Sequence, residues 1–93
     1  MILWEEEALA DREAIFDFLY QFNPVVAERT DGQIEERAEL LMLQPLLGVE
    51  RQGIPGRLLI LPEVSLLISY QLAGSDIRIV RVLHQKQQFP PAD

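Results

Sequence analysis

Four side chains in this sequence have the types needed to act together on a phosphodiester: Arg57, Arg81, His84 and Lys86. The matching chemistry is metal-free RNA cleavage, in which a 2′-hydroxyl attacks the neighbouring phosphate. It needs one group that titrates near neutrality to move a proton and clustered cations to stabilise the pentavalent phosphate. His84 is the only histidine, so the proton role falls to it, and Lys86, the only lysine, stands two residues on. There is no cysteine, hence no thiolate nucleophile and no thiolate metal site. No metal or cofactor is expected. The competing reading makes His84 a polar residue that ends a strand and bonds to neighbouring backbone. In the same reading Arg57 is a surface arginine paired with Glu63 or with an acid of the helices. Simple strand alternation puts Arg78, not Arg81, on the face of His84. A bulge or twist at the strand end would be needed to bring Arg81 in.

The elements that must position these residues follow from pattern. Ile2-Leu3-Trp4 is short, apolar and β-prone. From Glu6 to Phe22 the apolar residues Ala8, Ile15, Leu19 and Phe22 share a helical stripe, with Leu9, Phe16 and Tyr20 beside it. Trp4, Phe16, Tyr20 and Phe22 are expected in the core. Asn23-Pro24 supplies an N-cap and a proline at the first helical position, and a second helix is expected from Pro24 to Gln44, with a kink allowed at Gly32. Gly48, Gly53, Pro55 and Gly56 predict a loop over 48–56. Strands are expected at 57–61, 64–72 and 77–84. In the second of these Val64, Leu66, Ile68, Tyr70 and Leu72 should face the helices. The order is β-α-α-β-β-β, an α+β fold in which a helical hairpin covers one face of a small, mainly antiparallel sheet. Residues 1–93 are expected to form a single domain with a flexible tail at 85–93.

Charge is unevenly spread. Residues 1–50 carry a balance of −9 and residues 51–93 a balance of +2. The acidity therefore belongs to the helical half, and a cationic surface remains available only in the strands. No apolar run reaches the roughly 18 residues of a membrane span. The N-terminal stretch lacks the basic and long apolar regions of a secretory signal. With no cysteine to protect or oxidise, a cytoplasmic location is expected and no membrane partner. Leu46, Leu47 and Leu67 are apolar positions that a sheet and hairpin cannot fully cover, and they are candidates for a partner surface.

Several stretches, in order, resemble the ParE/RelE toxin superfamily. Asp11 to Ala27 is similar to its first helix, asparagine-proline break and second helix. Leu43-Gln44-Pro45 with Gly48 resembles its helix exit, and Gly56-Arg57 the glycine–arginine that opens a strand. Ile68-Ser69-Tyr70-Gln71-Leu72 resembles its "I-x-Y-x-V" strand and Arg81-Val82-Leu83-His84-Gln85-Lys86 its closing "V-L-H-x-R". Gln88-Phe89-Pro90 matches the "Q-F-P" of plasmid-stabilisation members. The resemblance covers nearly the whole chain and implies the β-α-α-β-β-β fold.

The resemblance also implies a growth-inhibiting toxin held by a cognate antitoxin, as a homodimer or as a heterotetramer with it. Three functions follow. The chain binds a protein target, as ParE binds DNA gyrase; or it is a ribosome-dependent mRNA endonuclease with Arg57, Arg81, His84 and Lys86 as its catalytic set; or it has lost toxicity and keeps antitoxin binding. Relatives that cleave mRNA are rich in lysine and arginine, whereas Lys86 here is flanked by Gln85, Gln87 and Gln88. Ribosome affinity rests on phosphate neutralisation, so the protein-binding function is the expected one.

Overall fold

Asn23 and Pro24 divide the helical half of the chain as their chemistry requires. In the computed structural model, which describes residues 1–85, Asn23 accepts hydrogen bonds from the backbone of Val25 at 3.0 Å and Val26 at 3.3 Å. Helix α1 spans Glu6–Tyr20 and α2 spans Pro24–Leu43, running unbroken through Gly32. Five strands form one sheet: β1 (Ile2–Trp4), β2 (Val49–Arg51), β3 (Ile54–Leu61), β4 (Leu66–Ala73) and β5 (Asp76–His84). Their order across the sheet is β1-β5-β4-β3-β2. Only the β1–β5 pair is parallel. The α+β class and the mainly antiparallel sheet under a helical hairpin agree with the sequence reading.

The stretch 48–56 departs from it. Instead of an irregular loop, it holds β2 and the start of β3, paired antiparallel through Val49–Leu58 and Glu50–Arg57. Gly53 (φ +82°) makes the turn and Gly56 (φ +80°) allows a close approach to β4. The glycines bend a hairpin here; they do not abolish it. Val64 also falls outside its expected strand, in a 3-10 turn at Pro62–Val64. The tail expected to be flexible lies, from residue 86 onward, outside the described residues. Gln85 is tied back through its backbone N–H to Ser65 at 2.9 Å.

The core forms where the hairpin meets the sheet. Ala8, Ile34, Ala38 and Leu41 from the helices pack with Leu59, Leu61, Leu66, Ile68, Tyr70, Ile77, Ile79 and Val82. Leu66, Ile68 and Tyr70 are buried as expected. Leu72, expected beside them, is 48% exposed and lines a hollow with Arg51, Ile54 and Arg57. Phe22 and Tyr20, expected in the core, are exposed at 73% and 52%. α1 stops at Tyr20, so both rings lie at the tip of the hairpin. Leu67 errs the other way: it is buried, flanked across strands by Ile60 and Leu83.

A β-bulge changes the parity of β5. Tyr70 pairs with Ile79 and Ser69 with Arg81, which leaves Val80 without a partner. Ile77 and Ile79 face the helices before the bulge, and Val82 faces them after it. His84, opposite Leu66, is on that same side, while Arg78, opposite Gln71, is on the other. The expectation that Arg78 shares the face of His84 is therefore corrected by one inserted residue.

Candidate functional site

Arg81 is anchored first. β1 ends at Trp4, and the Glu5 backbone N–H adds one more ladder bond to Ile79 at 3.0 Å. Beyond that point the edge of β5 is open, and the Asp11 carboxylate of α1 fills the place of a neighbouring strand. It accepts from the Val82 backbone N–H at 2.9 Å and from Arg81 Nε at 2.7 Å and Nη2 at 3.0 Å. Glu7 lies 3.4 Å from the same guanidinium. The hydrogen bond to Asp11 raises the affinity of Arg81 for its proton, against a smaller opposing effect of burial. The fork is bidentate, so the guanidinium is oriented as well as neutralised.

Arg57 is committed at the other end of the sheet. It donates to the carbonyl oxygens of Gly48 at 2.7 Å and Leu46 at 3.4 Å, and it lies 3.4 Å from Glu50. Glu50, and not the expected Glu63, is thus its acidic neighbour; Glu63 pairs with Arg37. Arg57 stands opposite Tyr70, and His84 opposite Leu66. Strand spacing then separates Arg57 from His84 by roughly 16 Å, four residues along and two strands across. Lys86 lies outside the described residues. Of the four residues singled out for phosphodiester chemistry, the three described ones are not gathered at one point: Arg57 stands far from His84, and Arg81 is held by Asp11.

Two features escaped the sequence reading. Arg12 forks onto Asp31 at 2.9 and 2.8 Å and lies 4.6 Å above the Trp4 ring, joining α1, α2 and β1. Its proton is held more tightly, first through that hydrogen bond to Asp31. The spacing of Arg12 from Asp31 across a helix break carries no local signal. Tyr70 is the second. Fully buried, its hydroxyl donates to the Pro45 carbonyl at 2.7 Å and accepts from the Gly48 N–H at 2.8 Å. Gly48 is needed there, because a Cβ would fall 2.6 Å from the Tyr70 ring. Tyr70 and Arg57 together clamp the segment from Pro45 to Gly48 onto the sheet.

Burial pushes the Tyr70 phenol above its ordinary range, against the Gly48 N–H and the Arg57 charge, which favour the anion. A raised folded-state value holds the proton in the folded chain after the unfolded chain has released it. Stability is therefore undiminished below the unfolded value of about 10 and falls as pH rises from there through the folded value. Denaturant midpoints measured between about pH 9 and 11 should fall in the wild type, and Tyr70→Phe should remove most of that slope. At neutral pH the same variant should lose about 1–3 kcal/mol, since the Gly48 and Pro45 groups lose their partner. An unchanged alkaline slope in the variant would place the titration elsewhere.

The remaining surface is better suited to binding. An apolar groove of about 430 Å³ runs between the hairpin and the end of the sheet, walled by Ile15, Phe18, Leu19 and Val26 with Thr30, Glu63 and His84 as polar members. At the corner after α2, Leu43, Leu46, Leu47 and Val49 are exposed. Among the described residues no cluster of acids or histidine is placed to hold a metal ion.

The sequence pattern of the family described as "ParE toxin of type II toxin-antitoxin system, parDE" matches residues 2–89. The chain is 31% identical over 83 residues to "Toxin RelE2" of Caulobacter vibrioides, covering 89% of this chain and 92% of that protein. Its fold is similar to a chain of "Chromosomal ParDE TA system from P. aeruginosa", with a TM-score of 0.75 and 27% identity over 89% of this chain and 92% of that one. The hairpin on a five-stranded sheet, the match over nearly the full length and the relative above 30% identity agree: the chain belongs to the ParE toxin family of type II toxin–antitoxin systems.

Proposed function

We propose that the chain inhibits growth by binding a protein target, in the manner of ParE on DNA gyrase, and that it does so without cleaving RNA. The observation that carries this reading is the state of five of its seven arginines. Arg81 is forked onto Asp11 and Arg57 is spent on the Gly48 and Leu46 carbonyls. Arg12, Arg37 and Arg78 are paired with Asp31, Glu63 and Glu5. A cation with an internal carboxylate must give it up, at a cost, before it can stabilise phosphate. The acidic helices add a field that repels a polyanion. In the proposal the cognate antitoxin holds the toxin in check, and the complex resides in the cytoplasm; no helix among the described residues is long and apolar enough to cross a membrane.

Translating ribosomes incubated with the protein are expected to show no new cuts in mRNA. New cuts that vanish in folded His84→Ala and Lys86→Ala variants would overturn the proposal and restore Arg57, Arg81, His84 and Lys86 as a catalytic set. Inducing the chain alone should change DNA supercoiling before it slows translation. Arrest of translation first would point to the ribosome.

A further inference from the structure

The tip of the helical hairpin carries a knob and a hole side by side. Phe22 is the most exposed ring among the described residues. It stands against Phe18, with ring centroids 5.2 Å apart, and Phe18 is also a wall of the apolar groove formed with Ile15, Leu19, Val26 and Val64. Phe22 itself lies outside that groove. An apolar cavity of about 150 Å³ already admits a benzene ring, so a groove of about 430 Å³ has room for a phenyl side chain. Val25, at the start of α2, is exposed beside the two rings. Residues 18–27 carry no charge, although the chain as a whole is at −7. An uncharged patch of this kind on an acidic chain marks a place of association.

The occupant follows from where the knob stands. A knob and a hole on one patch are both satisfied by a second copy turned about a two-fold axis, because each Phe22 then enters the groove of the other. Area agrees with this. Phe18 and Phe22 present roughly 200–350 Å² per copy, and Val25 with the groove walls brings a two-copy contact toward the roughly 1,000 Å² of a specific interface. Charge agrees as well. Arg29, one turn along α2 from Val25, forms no ion pair among the described residues, and neither does Asp17, next to Phe18. The two-fold contact gives each a partner of opposite sign, twice over. Glu35, Glu36 and Glu39 lie further along α2, roughly 15–20 Å from Val25 and beyond the Debye length of about 8 Å. Their repulsion across the pair is therefore screened.

We propose that two copies of the chain associate through their hairpin tips, each seating Phe22 in the apolar groove of the other, with Arg29 of one copy on Asp17 of the other. The groove supplies burial, the ring supplies the anchor, and the charge pair sets the rotation of one copy on the other. The inference stands apart from the gyrase and antitoxin readings, since it uses only the hairpin and the groove beneath it. A groove filled in this way is closed to other ligands, so anything that binds there must first separate the pair.

Sedimentation equilibrium of the free full-length chain, followed from about 1 μM to about 1 mM, should show a monomer–dimer transition. Phe22→Ser changes an exposed ring, so the variant should keep the thermal midpoint of the dilute wild type. Its dimer should dissociate at least about tenfold more readily, a loss of roughly 1.4 kcal/mol. Arg29→Glu should weaken the pair in the same sense, and adding Asp17→Arg to it should restore association. A merely damaged tip would not be rescued by a second charge reversal. A wild type that stays monomeric throughout overturns the inference, and so does a dimer that Phe22→Ser leaves intact. A double variant no tighter than Arg29→Glu alone overturns the pairing of Arg29 with Asp17 and the rotation built on it. A monomeric wild type whose Ile15, Leu19 and Val26 methyl signals shift when residues 86–93 are deleted names the end of its own chain as the occupant, and that also overturns the inference.

Discussion

Ile68→Ala is expected to lower the stability of the folded chain by about 2–5 kcal/mol, the usual cost of emptying a packed site. Ile68 is fully buried, pairs with Leu59 and Val82 on its two sides, and belongs to the cluster shared with Ile34 and Leu41. A domain of this size loses about 4–8 °C in melting temperature per kcal/mol, so the midpoint should drop by something on the order of 10–30 °C. Ile60→Ala is the matched control. It removes the same atoms from a strand position that is 50% exposed, where the loss should stay below about 1 kcal/mol. Equal losses at both positions would mean that the face assigned to the helices is wrong.

Gly56→Ala should be similarly damaging for a different reason. At φ +80° an L side chain is strained, and the added Cβ would stand 2.3 Å from the Tyr70 carbonyl oxygen and 2.9 Å from Gln71. The first of these is backbone held between two strands, since Tyr70 pairs with Arg57 of β3 on one side and Ile79 of β5 on the other. It cannot swing aside as a side-chain tip would. Strain of about 1 kcal/mol and overpacking of about 1–3 kcal/mol give an expected loss of about 2–4 kcal/mol. Gly53→Ala separates the two contributions, because Gly53 has nearly the same φ, +82°, and nothing within 4 Å of its Cβ. It should lose only the strain. Urea midpoints for the pair will show whether the gap between them matches the clash.

Local chemistry made part of this fold legible. Asn23-Pro24 is a helix break by its own hydrogen-bonding capacity, and alternation along Leu66, Ile68 and Tyr70 marks a buried face whatever strand lies next to it. Strand order is different. No pattern in Ile2-Leu3-Trp4 says that it runs parallel to β5, since that neighbour is chosen by the tertiary arrangement. The Val80 bulge is equally silent, for no glycine marks it, and it alone reverses the side to which His84 points. Gly53 and Gly56 were visible but ambiguous: the same residues that break an element also turn a hairpin. For the candidate site, composition showed which cations exist. It could not show that Asp11, seventy residues away, holds Arg81. The family resemblance repeated the element order that periodicity had already given.

The placement of β5 bears on synthesis. The last strand among the described residues lies inside the sheet, between β1 and β4, and carries the Arg81 and Val82 contacts to Asp11. Joining Met1 to Ile77, and Ile2 to its place beside it, closes a loop that spans almost all of the described chain. Loops of that length close slowly because the entropy of closure is spent before the new contacts reward it. A chain still growing on the ribosome can form its helical hairpin and the meander of β2, β3 and β4. Its N-terminal strand has no partner until β5 emerges. At a synthesis rate of about 5–20 residues per second, the surface that depends on the finished sheet therefore appears a few seconds after the helical hairpin, and a product that stops before β5 lacks it.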